Sequence, residues 1–113
     1  MQYSIGSADS FTKELKQLHK RYPSILEDVR ALGIELLSNP TLGESLGGGL
    51  RKIRTSIASK GKGKRGGARV ITFTAVVSVS ETKITLLTIY DKADISTLSI
   101  AKLKELLKKN GLK

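Results

Sequence analysis

The hydrophobic period of this chain changes once, and that change limits what it can fold into. Up to Asn39 the apolar residues keep a helical spacing. Phe11, Leu15, Leu18 and Tyr22 recur at i, i+4, i+7 and i+11, followed by Ile25, Val29, Leu32 and Leu36. Asp9 or Ser10 is available to cap the first helix, Pro23 suits the first turn of the second, and Asn39-Pro40 ends it. The join at Tyr22-Pro23 is short, so an antiparallel hairpin is expected. "TLGESLGGGL" then reads as a glycine-rich loop, and beyond it the period is two. "LRKIRTSI", "ARVITFTAVVSV" and "KITLLTIY" are β-branched strands, "SVSET" turns the second into the third, and "QYSI" near the start is a short strand. Ile100, Leu103 and Leu107 restore the helical period before Asn110-Gly111. The expected order is β-α-α-β-β-β-α within one domain over residues 1–113. That is an α+β fold: a twisted antiparallel sheet with an N-terminal helical hairpin packed on one face and the other face free.

Charge sharpens this. Arg51, Lys52, Arg54, Lys60, Lys62, Lys64, Arg65 and Arg69 put eight cations and no acid into nineteen residues, whereas the rest of the chain is nearly balanced; the net charge is +10. So concentrated a field steers polyanions, above all nucleic acid. In the alternating strand, Lys52, Arg54 and Ser56 share one face and Ile53, Thr55 and Ile57 the other. The chain has no cysteine and one histidine, His19, which excludes disulfides and the usual zinc clusters. No apolar run is long enough to span a membrane, and "MQYSIGSADSF" lacks the layout of a secretory signal, so a cytoplasmic location is expected.

"KGKGKRGGAR" contains a literal G-x-G-x-x-G at Gly61, Gly63 and Gly66, yet a β-branched run follows it where a dinucleotide site needs a helix. A phosphate-binding P-loop fails too, because Gly67-Ala68 stands where Lys-Ser/Thr is required. What remains is a flexible cationic arm: glycines allow close approach and positive φ, and the cations wrap a phosphate chain. A solvated charge run is the ordinary alternative. Cations on the flanking strands favour the polyanion site.

The aromatics, Tyr3, Tyr22, Tyr90, Phe11 and Phe73, are too few and too scattered for a base-stacking platform, and only Tyr90 is well placed. Backbone chemistry on RNA fits better. Attack by a 2′-hydroxyl needs a base, a positive cradle for the phosphorane and an acid for the leaving oxygen. His19 lies among charged residues of the first helix and is no candidate base. Arg54, Lys62, Arg69, Tyr90 and Lys92 supply the required residue types, with arginine suited to the phosphorane and lysine or tyrosine to proton transfer.

"NPTLGESLGGGLRKIR", "KGKGKRGGARVI" and "LLTIYDK", with the lysine-rich "AKLKELLKK" at the end, resemble the RelE/HigB family of toxins from bacterial type II toxin–antitoxin modules, in particular its HigB-like branch. The similarity extends back to "FTKELKQLHKRYP". It implies a microbial-ribonuclease-like sheet and a metal-independent, cofactor-free endoribonuclease (an mRNA interferase) that cuts mRNA in the A site of the 70S ribosome, against 16S rRNA. It also implies neutralisation by a cognate antitoxin, of helix-turn-helix type, through which alone operator DNA is reached. By position the resemblance gives Lys52 and Arg54, then Arg69 on the scissile phosphate, then Tyr90 and Lys92; catalysis is expected of Arg54, Arg69, Tyr90 and Lys92, with Lys62 added from the residue types alone. RNA and ribosome binding falls to Arg51, Lys52, Lys60, Lys64 and Arg65. The family's further aromatic or histidine near the C-terminus has no counterpart after Tyr90, so the base stays open among Tyr90, Lys60 and Lys62. The alternative is a non-catalytic RNA- or ribosome-binding protein using the same patch.

Overall fold

The computed structural model describes residues 2–112. Its elements run β1 (Gln2–Ser7), α1 (Asp9–Arg21), α2 (Ile25–Ser38), β2 (Glu44–Gly47), β3 (Leu50–Thr55), β4 (Ala68–Val76), β5 (Glu81–Asp91) and α3 (Ile100–Lys109), with one turn of 3-10 helix at Ala58–Lys60. The strands form one sheet in the order β1-β5-β4-β3-β2. All pairings are antiparallel except β1 with β5, which is parallel; the αα-hairpin carries the chain from β1 at one edge of the sheet to β2 at the other. The α+β layout expected from the change of period is therefore present.

The expected boundaries shift in places. "TLGESLGGGL" is not wholly loop: Glu44–Gly47 pairs with β3, and Gly47, Gly48 and Gly49, all at positive φ, make the turn between the two strands. Such a turn suits glycine because side-chain-bearing residues resist that conformation. Ala8 occupies the N-cap of α1 with no side-chain cap; the Ser10 hydroxyl instead donates to the Leu87 carbonyl, at 2.6 Å. Pro23 sits just ahead of α2, whose N-cap is Ser24.

Two apolar clusters flank the sheet. One gathers Phe11, Leu18, Ile25, Leu32 and Leu36 of the helical hairpin against Ile53, Val70, Leu86 and Ile89. The other packs Leu103, Leu106 and Leu107 of α3 on Leu50, Ile71, Phe73, Leu87 and Tyr90. The expected free sheet face is thus partly covered. Leu103, Leu106 and Leu107 form an apolar stripe that would otherwise meet water, and burying a leucine contributes about 1.5–3 kcal/mol. The stripe leaves the Arg54 end of that face open.

A β-bulge decides which residues this face presents. Thr72 pairs with Leu86 and Ile71 with Thr88, so Leu87 is an extra residue in β5. Without it, alternation from Leu86 would turn Tyr90 toward the helical hairpin. With it, Tyr90 joins the α3 face, the re-aiming that bulges produce.

Candidate nucleic-acid interface

The site grows from register. Arg54 of β3 lies opposite Arg69 of β4, and Arg69 lies opposite Tyr90 of β5, so three of the expected residues form one row across three strands. Lys52 shares the face of Arg54, one pair further along, opposite Ile71. Two guanidinium groups in direct cross-strand opposition repel each other. No acid relieves them: the ion pairs among the described residues are those of Arg21, Arg30 and Lys60. Arg69 is accordingly held below the ordinary arginine value, first by burial and then by the charge of Arg54. An unneutralised pair of this kind is a ready anion site.

Arg69 also shapes the cationic arm. It is 4% exposed, and its guanidinium donates to the carbonyls of Lys64, Ala68 and Arg65 at 3.1, 3.2 and 3.1 Å. The arm is therefore folded back on the strand that follows it, leaving Lys62, Lys64 and Arg65 exposed. Gly67 completes the join, its carbonyl accepting from the Lys92 backbone N–H at 3.0 Å.

Tyr90 is 5% exposed, and its buried hydroxyl has no acceptor, with the Leu98 backbone close by. Burial pushes the phenol up, against the pull of Arg69 and of the Leu98 backbone. At neutral pH it is a protonated donor with nothing to donate to, which in a cleft marks a place for a ligand.

The other expected residues are dispersed. Lys60 does not face solvent: its ammonium pairs with Asp91, a carboxylate 1% exposed. Asp91 also accepts from the Tyr22 hydroxyl, from Arg21 at 2.9 Å and from the Ala93 backbone N–H at 2.9 Å. Burial alone would raise its pKa, but Lys60, Tyr22 and Ala93 together hold it below the ordinary aspartate value. Both Arg21 and Lys60 also lie over the Tyr22 ring. Arg51 lies on the face opposite Lys52 and Arg54 and donates to the Leu42 and Gly43 carbonyls. Lys92 donates to the Ser96 carbonyl at 3.1 Å, securing the turn after β5. Lys62 lies on the exposed arm.

One residue that sequence reasoning passed over belongs with this group. Glu14 of α1 accepts from the Thr88 hydroxyl at 2.7 Å and the Ile89 backbone N–H at 3.3 Å. In the sequence it is an ordinary helix-surface glutamate; only the end of β1 at Leu86 pairing, which leaves the β5 edge to α1, gives it a place. Glu14, Thr88 and Tyr90 line a cleft of about 520 Å³ between α1 and α3, with Lys13, Lys102 and Lys109 around it.

No group of three or more metal-ligating side chains occurs among the described residues. Nor, among them, is any helix long and apolar enough to cross a membrane. No family model matches the chain.

Proposed function

We propose that this protein is an endoribonuclease of the RelE/HigB kind, the toxin of a type II toxin–antitoxin pair that cuts mRNA in the ribosomal A site. The observation that carries the reading is the row Arg54–Arg69–Tyr90: two opposed arginines with no acid paired to either, beside a buried phenol whose hydroxyl lacks an acceptor. Arginines in that position stabilise a phosphorane, and the phenol supplies a proton to a leaving oxygen. The exposed Lys62, Lys64 and Arg65 extend the positive surface along an RNA backbone. Dependence on the ribosome accounts for the missing stacking platform, because ribosomal RNA then holds the substrate. An acidic antitoxin complements the same surface.

A second reading, non-catalytic binding of RNA or ribosomes, is favoured by the Arg69 guanidinium, which is already engaged with three backbone carbonyls. One experiment separates the two. Purified protein is added to a cell-free translation reaction, with and without ribosomes, and new 5′ ends on the mRNA are mapped. Cleavage within codons supports the enzyme, and Arg54→Ala is then expected to lose at least ~100-fold in rate, as for removal of one transition-state donor. Intact mRNA with salt-sensitive binding supports the second reading.

A further inference from the structure

The polar side chains of this face do not end at Tyr90. β1 pairs with β5 only as far as Leu86, so the outer edge of β5 beyond it is taken by α1. Ala8 and Ser10 satisfy the Leu86 and Leu87 carbonyls, and Glu14 takes the Ile89 N–H. Thr88, two residues before Tyr90, falls on the same face, and the bulge at Leu87 turns that face toward α3. The Thr88 hydroxyl therefore draws the Glu14 carboxylate round the strand edge toward that face, into the cleft that Tyr90 also lines. Glu14 thus stands at the end of the neighbouring row, beside Thr88 opposite Ile71, and shares the cleft with Tyr90 of the arginine row. Lys13, Lys102 and Lys109 at the cleft give flanking phosphates a place, and its volume is in the ordinary range for small-ligand sites, about 300–1,000 Å³.

We propose that Glu14 is the base left unassigned by the sequence, accepting the 2′-hydroxyl proton while Tyr90 donates one to the leaving 5′ oxygen. The inference rests on the endoribonuclease reading. In the step, the 2′ oxygen attacks phosphorus and its proton passes to the Glu14 carboxylate. The P–O5′ bond breaks, and the 5′ oxygen takes the Tyr90 proton. The products are a 2′,3′-cyclic phosphate and a 5′-hydroxyl; water returns the proton from Glu14 to Tyr90. Lys13, Lys102 and Lys109 at the cleft offset the charge on phosphorus, and Arg69 stabilises the transient phenolate, consistent with its downward pull on the Tyr90 pKa. Burial raises the Glu14 pKa, against Thr88, Ile89 and Lys102, which lower it. A raised carboxylate is better matched to proton abstraction near neutral pH.

The test is single-turnover cleavage at saturating protein over pH 5–9, on the substrate form that the wild type cuts, with RNA binding followed separately by fluorescence anisotropy. For Glu14→Gln, which keeps the oxygen that Thr88 and Ile89 donate to, we expect unchanged binding, a rate at least ~100-fold lower and no acidic limb in the profile. Thr88→Val removes a hydrogen bond that lowers the Glu14 pKa, so the acidic limb should move to higher pH. A merely edge-capping Glu14 would alter melting temperature and leave the limb in place. Cleavage by Glu14→Gln within about threefold of wild type, or an unmoved limb in Thr88→Val, overturns the assignment while leaving the enzyme reading intact. Absence of wild-type cleavage on free and ribosome-bound RNA overturns both.

Discussion

At the scale of single residues, Asp91 shows how a charge can serve the site without touching it. Its carboxylate is buried and receives Lys60, Tyr22, Arg21 and the Ala93 N–H, tying the end of β5 to the end of α1 and to the segment that opens the cationic arm. Removing one side of a buried ion pair strands the other, and such changes cost on the order of 3–5 kcal/mol. Asp91→Ala is therefore expected to lose about 3 kcal/mol or more in urea unfolding at pH 7, and a loss below ~1 kcal/mol would contradict the clamp. The pH dependence has a definite sign. The folded pKa of Asp91 is depressed, so its stabilisation is fully present above the unfolded value, about 3.9, and is lost as pH falls through the lower folded value. The urea midpoint of the wild type should fall between pH 5 and pH 2 by more than that of Asp91→Asn, which has no such carboxylate to protonate.

At the scale of elements, the join between β3, the cationic arm and β4 holds the arginine row in register. A Cβ on Gly67 would lie 2.2 Å from the Thr55 carbonyl oxygen and 2.9 Å from Ser56 Cα, both backbone atoms with little room to yield. Gly67→Ala must push the arm off the end of β3, next to the Arg54–Arg69 pair. Overpacking of this kind costs roughly 1–3 kcal/mol. The expected outcome is a lower melting temperature together with an RNA cleavage rate reduced beyond what the lost folded fraction explains. A variant that keeps wild-type cleavage per folded molecule would show that the row tolerates displacement. The same join marks what the sequence makes legible. The hairpin helices, three long strands and α3 follow from apolar period, since each buries a periodic stripe; Arg54 and Lys52 share a face by simple alternation. The bulge at Leu87 is not legible, because one extra residue inverts the facing of Tyr90 while leaving "KITLLTIY" an unremarkable strand. Short β2 was hidden among glycines that carry no period. Glu14 was hidden because its role depends on where β1 stops.

At the scale of the whole molecule, charge divides into what binds and what braces, and composition cannot separate the two. Of the eight cations between Arg51 and Arg69, Lys60 is held by Asp91, Arg51 by the Leu42 and Gly43 carbonyls, and Arg69 by the arm. Lys62, Lys64, Arg65 and Arg54 are exposed and Lys52 half-buried. Lys102, Lys104, Lys108 and Lys109 add an exposed set on α3, the helix that partly covers this sheet face. Binding to single-stranded RNA releases counterions in proportion to the phosphates neutralised, with a slope of about −0.7 per contact in log K against log salt. Replacing Lys62, Lys64 and Arg65 together by alanine is thus expected to flatten that slope by about 2 and to leave the melting temperature near wild type. Lys60→Ala removes the same charge per residue but from the Asp91 clamp. It should lower the melting temperature and leave the salt slope within about 0.3 of wild type, since no phosphate contact is lost. Titrations of a labelled RNA at several salt concentrations, with melts of each variant, check both. A Lys60→Ala slope reduced by about 0.7, without loss of stability, would put Lys60 on the RNA and its pairing with Asp91 outside the bound state.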